Sequence, residues 1–246
     1  MNRLNSKVIV VTGGSGLLGR EILKFIKSEG SIAFNADINI STDIEKGMIN
    51  CDITNEDSIK RVIDIVINLF GRIDGWVNNA YPRSSDWNNK FEDISVFSWK
   101  QNVDFQLNSL FLCSQLVLTK MKINGKGSVV NIASIYGTVG PDFNVYKGTE
   151  LTMPAAYSAI KGGVVNLTRY LASYYGANGI RINCVSPGGI FNNQDPLFVK
   201  QYSEKVPMKR MGQAEEIAPA VVFLLSEEAS YITGHNLLVD GGWTSI

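Results

Sequence analysis

Apolar residues fall into two alternating rhythms along the 246-residue chain. Short runs rich in β-branched residues are followed by longer stretches in which apolar positions recur every three or four residues. KVIVVT (7–12) reads as a buried strand. LLGREILKFIKSEG (17–30) sets Leu18, Ile22, Phe25 and Ile26 on one helix face and stops at Gly30. A strand at 31–37 follows. A helix at 55–71 opens on Asn, Glu and Asp, the residues a positive helix end prefers. The pattern continues with a short strand at 75–80, a long helix at 102–123 and a strand at 127–134. It closes with a helix at 155–175, a strand at 180–187, a helix at 214–225 and a last strand at 236–242.

Repeated β–α alternation predicts a parallel sheet covered by helices on both faces. No repeat, low-complexity tract or Pro-rich linker divides the chain, so residues 1–246 read as a single doubly wound α/β domain. Ligands are expected beyond the C-terminal strand ends. The composition, 45% hydrophobic and 19% charged, supplies a large core. Lysine plus arginine equals aspartate plus glutamate at 23 each, which gives no electrostatic case for nucleic acid or an anionic membrane. No run is long and apolar enough to predict a membrane span, and VIVV is too short for a signal peptide. Cys51, Cys113 and Cys184 lie far apart in apolar contexts, which predicts buried free thiols and a cytoplasmic protein. His235 is the only histidine, so no metal site is expected.

Chemistry enters at TGGSGLLG (12–19). Gly14, Gly16 and Gly19 form G-x-G-x-x-G between a strand and a helix, the context in which glycines let a pyrophosphate approach backbone N–H groups. Gly13, Gly14, Ser15, Gly16, Leu17, Leu18 and Gly19 are therefore cofactor-binding candidates. Asp37 ends the second strand. Its carboxylate suits the two ribose hydroxyls of an adenosine and repels a 2′-phosphate. With no basic residue at Ser15 or Ile38, NAD is favoured over NADP; Arg20 is the one nearby cation. In PAAYSAIKGG (154–163), Tyr157 and Lys161 share a helix face. They are either a solvated pair or a phenol whose proton is made easy to move.

Taken together, TGGSGLLG, CDIT (51–54), NNA (78–80), VVNIAS (129–134), YSAIK (157–161), RINCVSPGGI (181–190) and ITGHNLLVDGG (232–242) resemble the short, roughly 250-residue form of the short-chain dehydrogenase/reductase family. The resemblance spans nearly the whole chain and leans toward bacterial dehydrogenases of flagellin or surface-glycan modification. It implies a Rossmann-type, seven-stranded sheet and hydride transfer between a nicotinamide and a secondary alcohol or ketone. It implies Tyr157 as general acid/base, Ser134 as the holder of the substrate oxygen, and Lys161 as the cation that lowers the phenol's pKa together with NAD⁺. Asp52 and Ile53 would flank the adenine, Asn79 and Ala80 the ribose, and Pro187, Gly188 and Ile190 the nicotinamide. A homotetramer or homodimer through the helices at 102–123 and 155–175 is also implied. Leu110, Leu116, Leu167 and Leu171 lie there, as interface or as internal core.

The departures from the family pattern are specific. Gln106 stands where a relay asparagine is usual, and Asn108 is rotated about 200° from it on a helix. Leu17 replaces a glycine, Tyr81 a small residue, and Asn192 a carboxamide-binding threonine. The stretch from Ser134 to Tyr157 is about ten residues longer than usual, which predicts an inserted loop at 137–154 carrying Tyr146, Lys147, Thr149 and Glu150. Arg83 and Trp87 are expected at the same mouth, and residues 189–212 as a substrate lid. These polar groups with a cation favour a sugar or sugar phosphate over a long acyl chain. The alternatives are a 3-oxoacyl-thioester (acyl-carrier-protein) reductase and a non-catalytic NAD-binding interaction protein.

Overall fold

The computed structural model describes residues 2–246. Its strands are β1 (Val8–Thr12), β2 (Ile32–Asp37), β3 (Met48–Asn50), β4 (Gly75–Asn78), β5 (Gly127–Ile132), β6 (Ile180–Pro187) and β7 (Asn236–Val239). All pair in parallel in the order β3-β2-β1-β4-β5-β6-β7. The strand order reverses between β1 and β4, which opens a crevice at their C-terminal ends.

Alternation along β1 divides the core. Val8 and Val10 face one layer, with α2 (Glu56–Phe70), α4 (Ser109–Asn124) and α5 (Ala155–Tyr175). Ile9 and Val11 face the other, with α1 (Leu17–Ser28) and α7 (Ala218–Leu225). Helix α2 begins where Asn55 accepts the Ser58 N–H and ends at Gly71, whose φ of 73° needs no Cβ. Leu110 and Leu171 are buried in the core, and the half-buried Leu116 and Leu167 pack against its clusters.

Four features differ from the sequence expectation. Strand β3 has three residues, too few to show an alternating pattern, and holds the sheet edge through backbone pairing with β2. The long helix starts earlier, as α3 (Val96–Val103), because Ser95 caps it through the Ser98 N–H; it reaches α4 through a π-helical turn at Asp104–Asn108. The 189–212 segment contains a helix, α6 (Pro196–Lys205), capped by Asp195 with proline in the first turn. The 137–154 loop is anchored on α6, a contact with no local signal: Val145 and Tyr146 join Phe198, Tyr202 and Trp243 in one cluster, and Lys205 pairs with Asp142.

A polar chain crosses the core beneath the crevice. Trp76 Nε1 donates to Asn78 Oδ1 at 2.8 Å, Asn78 Nδ2 to Asn131 Oδ1 at 2.8 Å, and Asn131 Nδ2 to Thr168 Oγ1 at 2.9 Å. This ties β4, β5 and α5 together where no water competes. Asn131→Ala removes two buried hydrogen bonds, leaving Asn78 Nδ2 only Ser114 and Thr168 Oγ1 only the Val164 carbonyl, and is expected to cost about 1–3 kcal/mol, read as a lowered urea midpoint with an unchanged m-value.

Candidate active site

A cavity of about 860 Å³ occupies the crevice. At one end the β1–α1 loop contributes Gly13, Ser15, Gly16, Leu17 and Leu18 to its wall. Gly13 has φ +63°, and a Cβ there would lie 2.7 Å from Ala80 Cα. Gly14 and Gly19 do not line the cavity. A Cβ on Gly14 would meet Asn35 Oδ1 at 2.4 Å, and one on Gly19 would meet the Gly13 carbonyl oxygen at 2.2 Å. These two glycines let the loop close on β2 and on itself, while a Cβ on Gly16 would meet only the Gly13 carbonyl oxygen, at 3.3 Å.

Asp37 is buried at the end of β2, where its carboxylate accepts from the Ser15 N–H at 3.0 Å and the Asn39 N–H at 2.9 Å. Both bonds fix an anion beside the glycine loop. Asp52 and Ile53 line the same end. No lysine or arginine does, and Arg20 is outside the lining. These residues fit a dinucleotide: a glycine-lined helix start for phosphate, and a carboxylate for ribose hydroxyls. Asn79 and Ala80 also line the wall. The Asn79 amide, however, donates to the carbonyls of Thr12 (3.0 Å) and Gly13 (2.9 Å), so it holds the loop in place rather than pointing at a ligand. Pro187, Gly188 and Ile190 line the opposite wall, and Asn192 is with them.

Ser134, Tyr157 and Lys161 meet at the centre. Ser134 follows β5, and its Oγ accepts from the Tyr136 N–H at 3.2 Å. Burial pushes the Tyr157 phenol up, and the Ser134 hydroxyl draws it partly back. Lys161 is buried, and its Nζ donates to the Ile132 carbonyl at 2.7 Å. Desolvation brings this ammonium down to about 8. It lies 5.6 Å from the Tyr157 ring centroid and 5.5 Å from that of Tyr81. The ammonium thus faces the Tyr157 ring and the Ile132 carbonyl together. Gly137, in the turn after β5, lets α5 come this close: a Cβ there would sit 2.6 Å from the Lys161 carbonyl oxygen.

Gln106 lies in the π-helical turn, buried and outside the cavity lining, with neither amide atom hydrogen-bonded. Asn108 instead donates to Asp104 at 3.0 Å and is exposed.

Beyond Tyr157 the wall is aromatic. Tyr81 and Trp87 meet the Tyr157 ring edge-on at 5.7 and 6.3 Å, and each other at 5.8 Å. From the inserted loop, Tyr146, Thr152 and Met153 reach the cavity, whereas Lys147, Thr149 and Glu150 do not. Tyr136, Phe198 and Tyr202 complete this half, and sequence reasoning did not single them out as lining. They are brought in by the packing of α6 on the inserted loop; the nearest local signal was the spacing of Tyr136 from Ser134.

The family model described as enoyl-(acyl carrier protein) reductase matches residues 33–244. The chain belongs to the short-chain dehydrogenase/reductase family. It is 33% identical to post-translational flagellin modification protein A of Campylobacter coli, over 98% of this chain and 99% of the relative. It is 32% identical to 2,5-dichloro-2,5-cyclohexadiene-1,4-diol dehydrogenase of Sphingobium indicum, over the full length of both. A short-chain dehydrogenase from Leptospira borgpetersenii, solved with bound NAD⁺, superposes with a TM-score of 0.89 at 35% identity, over 98% of this chain and 94% of the other. As a short-chain dehydrogenase/reductase, the chain is an oxidoreductase acting on an alcohol or ketone. Among the described residues, no helix is long and apolar enough to cross a membrane.

Two stability measurements probe the buried polar groups of this member. Burial pushes the Lys161 ammonium down to about 8 in the fold, against an ordinary value of 10.5. Below pH 8 both states are charged and the burial cost is fully present. Between the two values the unfolded chain binds the extra proton, so stability rises with pH. Lys161→Met is therefore expected to be about 1–2 kcal/mol more stable than the parent at pH 7 by urea unfolding, with the gain fading as pH rises toward 10.5. Gln106→Leu removes two unpaired amide atoms and is expected to raise stability by about 1 kcal/mol in the same assay.

Proposed function

We propose that this oxidoreductase uses NAD to interconvert a secondary alcohol and a ketone on a polyhydroxylated ring, a sugar or sugar phosphate. The observation that carries the reading is the shared cavity: Asp37 beside a glycine-lined helix start at one end, Ser134, Tyr157 and Lys161 at the centre, and a hydroxyl-bearing aromatic wall at the other. The buried carboxylate of Asp37, with no cation on its side, favours NAD over NADP. When bound, NAD⁺ supplies the acceptor for the hydride that leaves the carbinol carbon. Ser134 orients the substrate oxygen. Tyr157 takes its proton in oxidation and returns it in reduction. Lys161 holds the ribose and, together with the cofactor's charge, counters the burial that pushes the phenol up. Gln106, whose amide the protein leaves unpaired, takes the part of the family's relay asparagine.

Edge-on rings at Tyr81, Trp87 and Tyr157 suit the C–H face of a six-membered ring, and the relative named for a cyclohexadiene diol supports a ring alcohol. The flagellin modification relative supports a role in glycan biosynthesis. Exposed Phe111, Tyr170 and Tyr174 on α4 and α5 support a homodimer or homotetramer. Three free, buried thiols suit the cytoplasm.

The test follows absorbance of the reduced nicotinamide with NAD⁺ or NADP⁺ and a panel of sugars, sugar phosphates, cyclic diols and acyl thioesters. Turnover with NAD⁺ and a ring alcohol is expected, rising with pH, and Tyr157→Phe is expected to lose it by about 10²–10⁴-fold while still binding NADH. Turnover confined to acyl thioesters, or undiminished in Tyr157→Phe, refutes the reading.

A further inference from the structure

Four charged side chains line the cavity, and three of them have a task. Asp37 and Asp52 stand at the glycine-loop end, and Lys161 is committed to the Ile132 carbonyl. The fourth, Arg83, follows Tyr81 and Pro82 in the loop after β4 and is exposed at the far mouth.

Arg83 is held without being used. Its guanidinium carbon sits 5.2 Å from the Tyr81 ring centroid, and it has no ion pair or hydrogen bond among the described residues. Arg3, Arg72 and Arg210, by contrast, are each locked onto a carboxylate. A ring beneath a guanidinium seats it while leaving its N–H donors free. Asp86, three residues along, spends its Oδ1 on the Ser84 and Ser98 hydroxyls, at 2.6 and 2.8 Å. No carboxylate lines this half of the cavity to repel an anion. Tyr81 touches both Arg83 and Tyr157, so one aromatic ring separates the free cation from the phenol. That is a spacing suited to a small ring with one charged substituent.

We propose that Arg83 is the anion-recognising group of the substrate site, and that the substrate carries a carboxylate or a phosphate besides its reacting hydroxyl. The inference rests on the oxidoreductase reading above but is tested by binding rather than turnover, so the two fail separately. Planar N–H donors beside an aromatic wall match both anions, and Arg83 offers the paired geometry that a carboxylate or phosphate takes best.

The experiment titrates NADH-loaded protein calorimetrically with glucose, glucuronate and glucose 6-phosphate. At least one anion is expected to bind about tenfold tighter than glucose, with an advantage that shrinks as salt rises. Whichever anion leads distinguishes carboxylate from phosphate. In Arg83→Gln the advantage is expected to vanish, and Arg83→Lys is expected to restore part of it; thermal unfolding of both variants checks that they fold. Parity between anions and glucose in the parent, an advantage that survives in Arg83→Gln, or no heat from either anion up to about 10 mM overturns the proposal. So does a matching loss of NADH affinity in Arg83→Gln, which assigns the guanidinium to the dinucleotide.

Discussion

The Lys161 ammonium lies out of water and donates a hydrogen bond to one main-chain carbonyl, that of Ile132, at the last residue of β5. A charge so placed costs free energy unless it is held at short range, and the 2.7 Å bond fixes the face of α5 toward the sheet. With that face set, Tyr157 one turn earlier must look into the crevice, and Ser134 two residues beyond Ile132 must meet it. The side chains that make this approach close are absent ones. Gly137 and Gly163 let the turn after β5 and the π-helical turn near Leu107 come up against α5. The Asn78–Asn131–Thr168 chain sets the other end of the same helix at the same depth. Stability is given up at Lys161 and recovered in the layers on either side of the sheet.

Much of this was legible in the sequence where the signal is local. The alternation of β1, the apolar stripe of α1, the caps of α2 and the strand–glycine–helix junction are properties of a dozen consecutive residues, and each element lies within a few residues of its expected place. Tyr157 and Lys161 could be paired because a helix fixes their geometry. What was not legible depends on distant partners. Strand β3 has no pattern of its own and forms because β2 offers it an edge. Gly14 and Gly19 belong to the expected loop motif, yet only the fold shows that their missing side chains make room for Asn35 and for the loop's own carbonyl rather than for a ligand. Asp195-Pro196 carried a readable start for α6, obscured by the polar residues around it.

The electrostatics of the cavity are uneven by construction. Acidic groups gather at the glycine-loop end, where backbone N–H donors balance Asp37. The opposite half is built from rings whose hydroxyls are pushed up by burial, Tyr81 and Tyr136 among them, and so stay protonated donors across the ordinary pH range. A ligand lying along the cavity therefore meets carboxylates first, then a movable proton, then neutral hydroxyls and, at the mouth, the Arg83 guanidinium.

The residues between Ser134 and Tyr157 grip α6 at several points. Tyr146 packs on Phe198 at 5.2 Å, Gln201 donates to the Lys147 carbonyl at 2.9 Å, and Tyr202 stacks at 4.4 Å on Trp243, which Lys205 also covers. Two stretches some fifty residues apart, together with the chain's last turn, thus behave as one inheritable block. Exchanging either stretch alone with a relative would strand aromatic surface on the other, so selection for new ligands in this lineage must remodel them in concert.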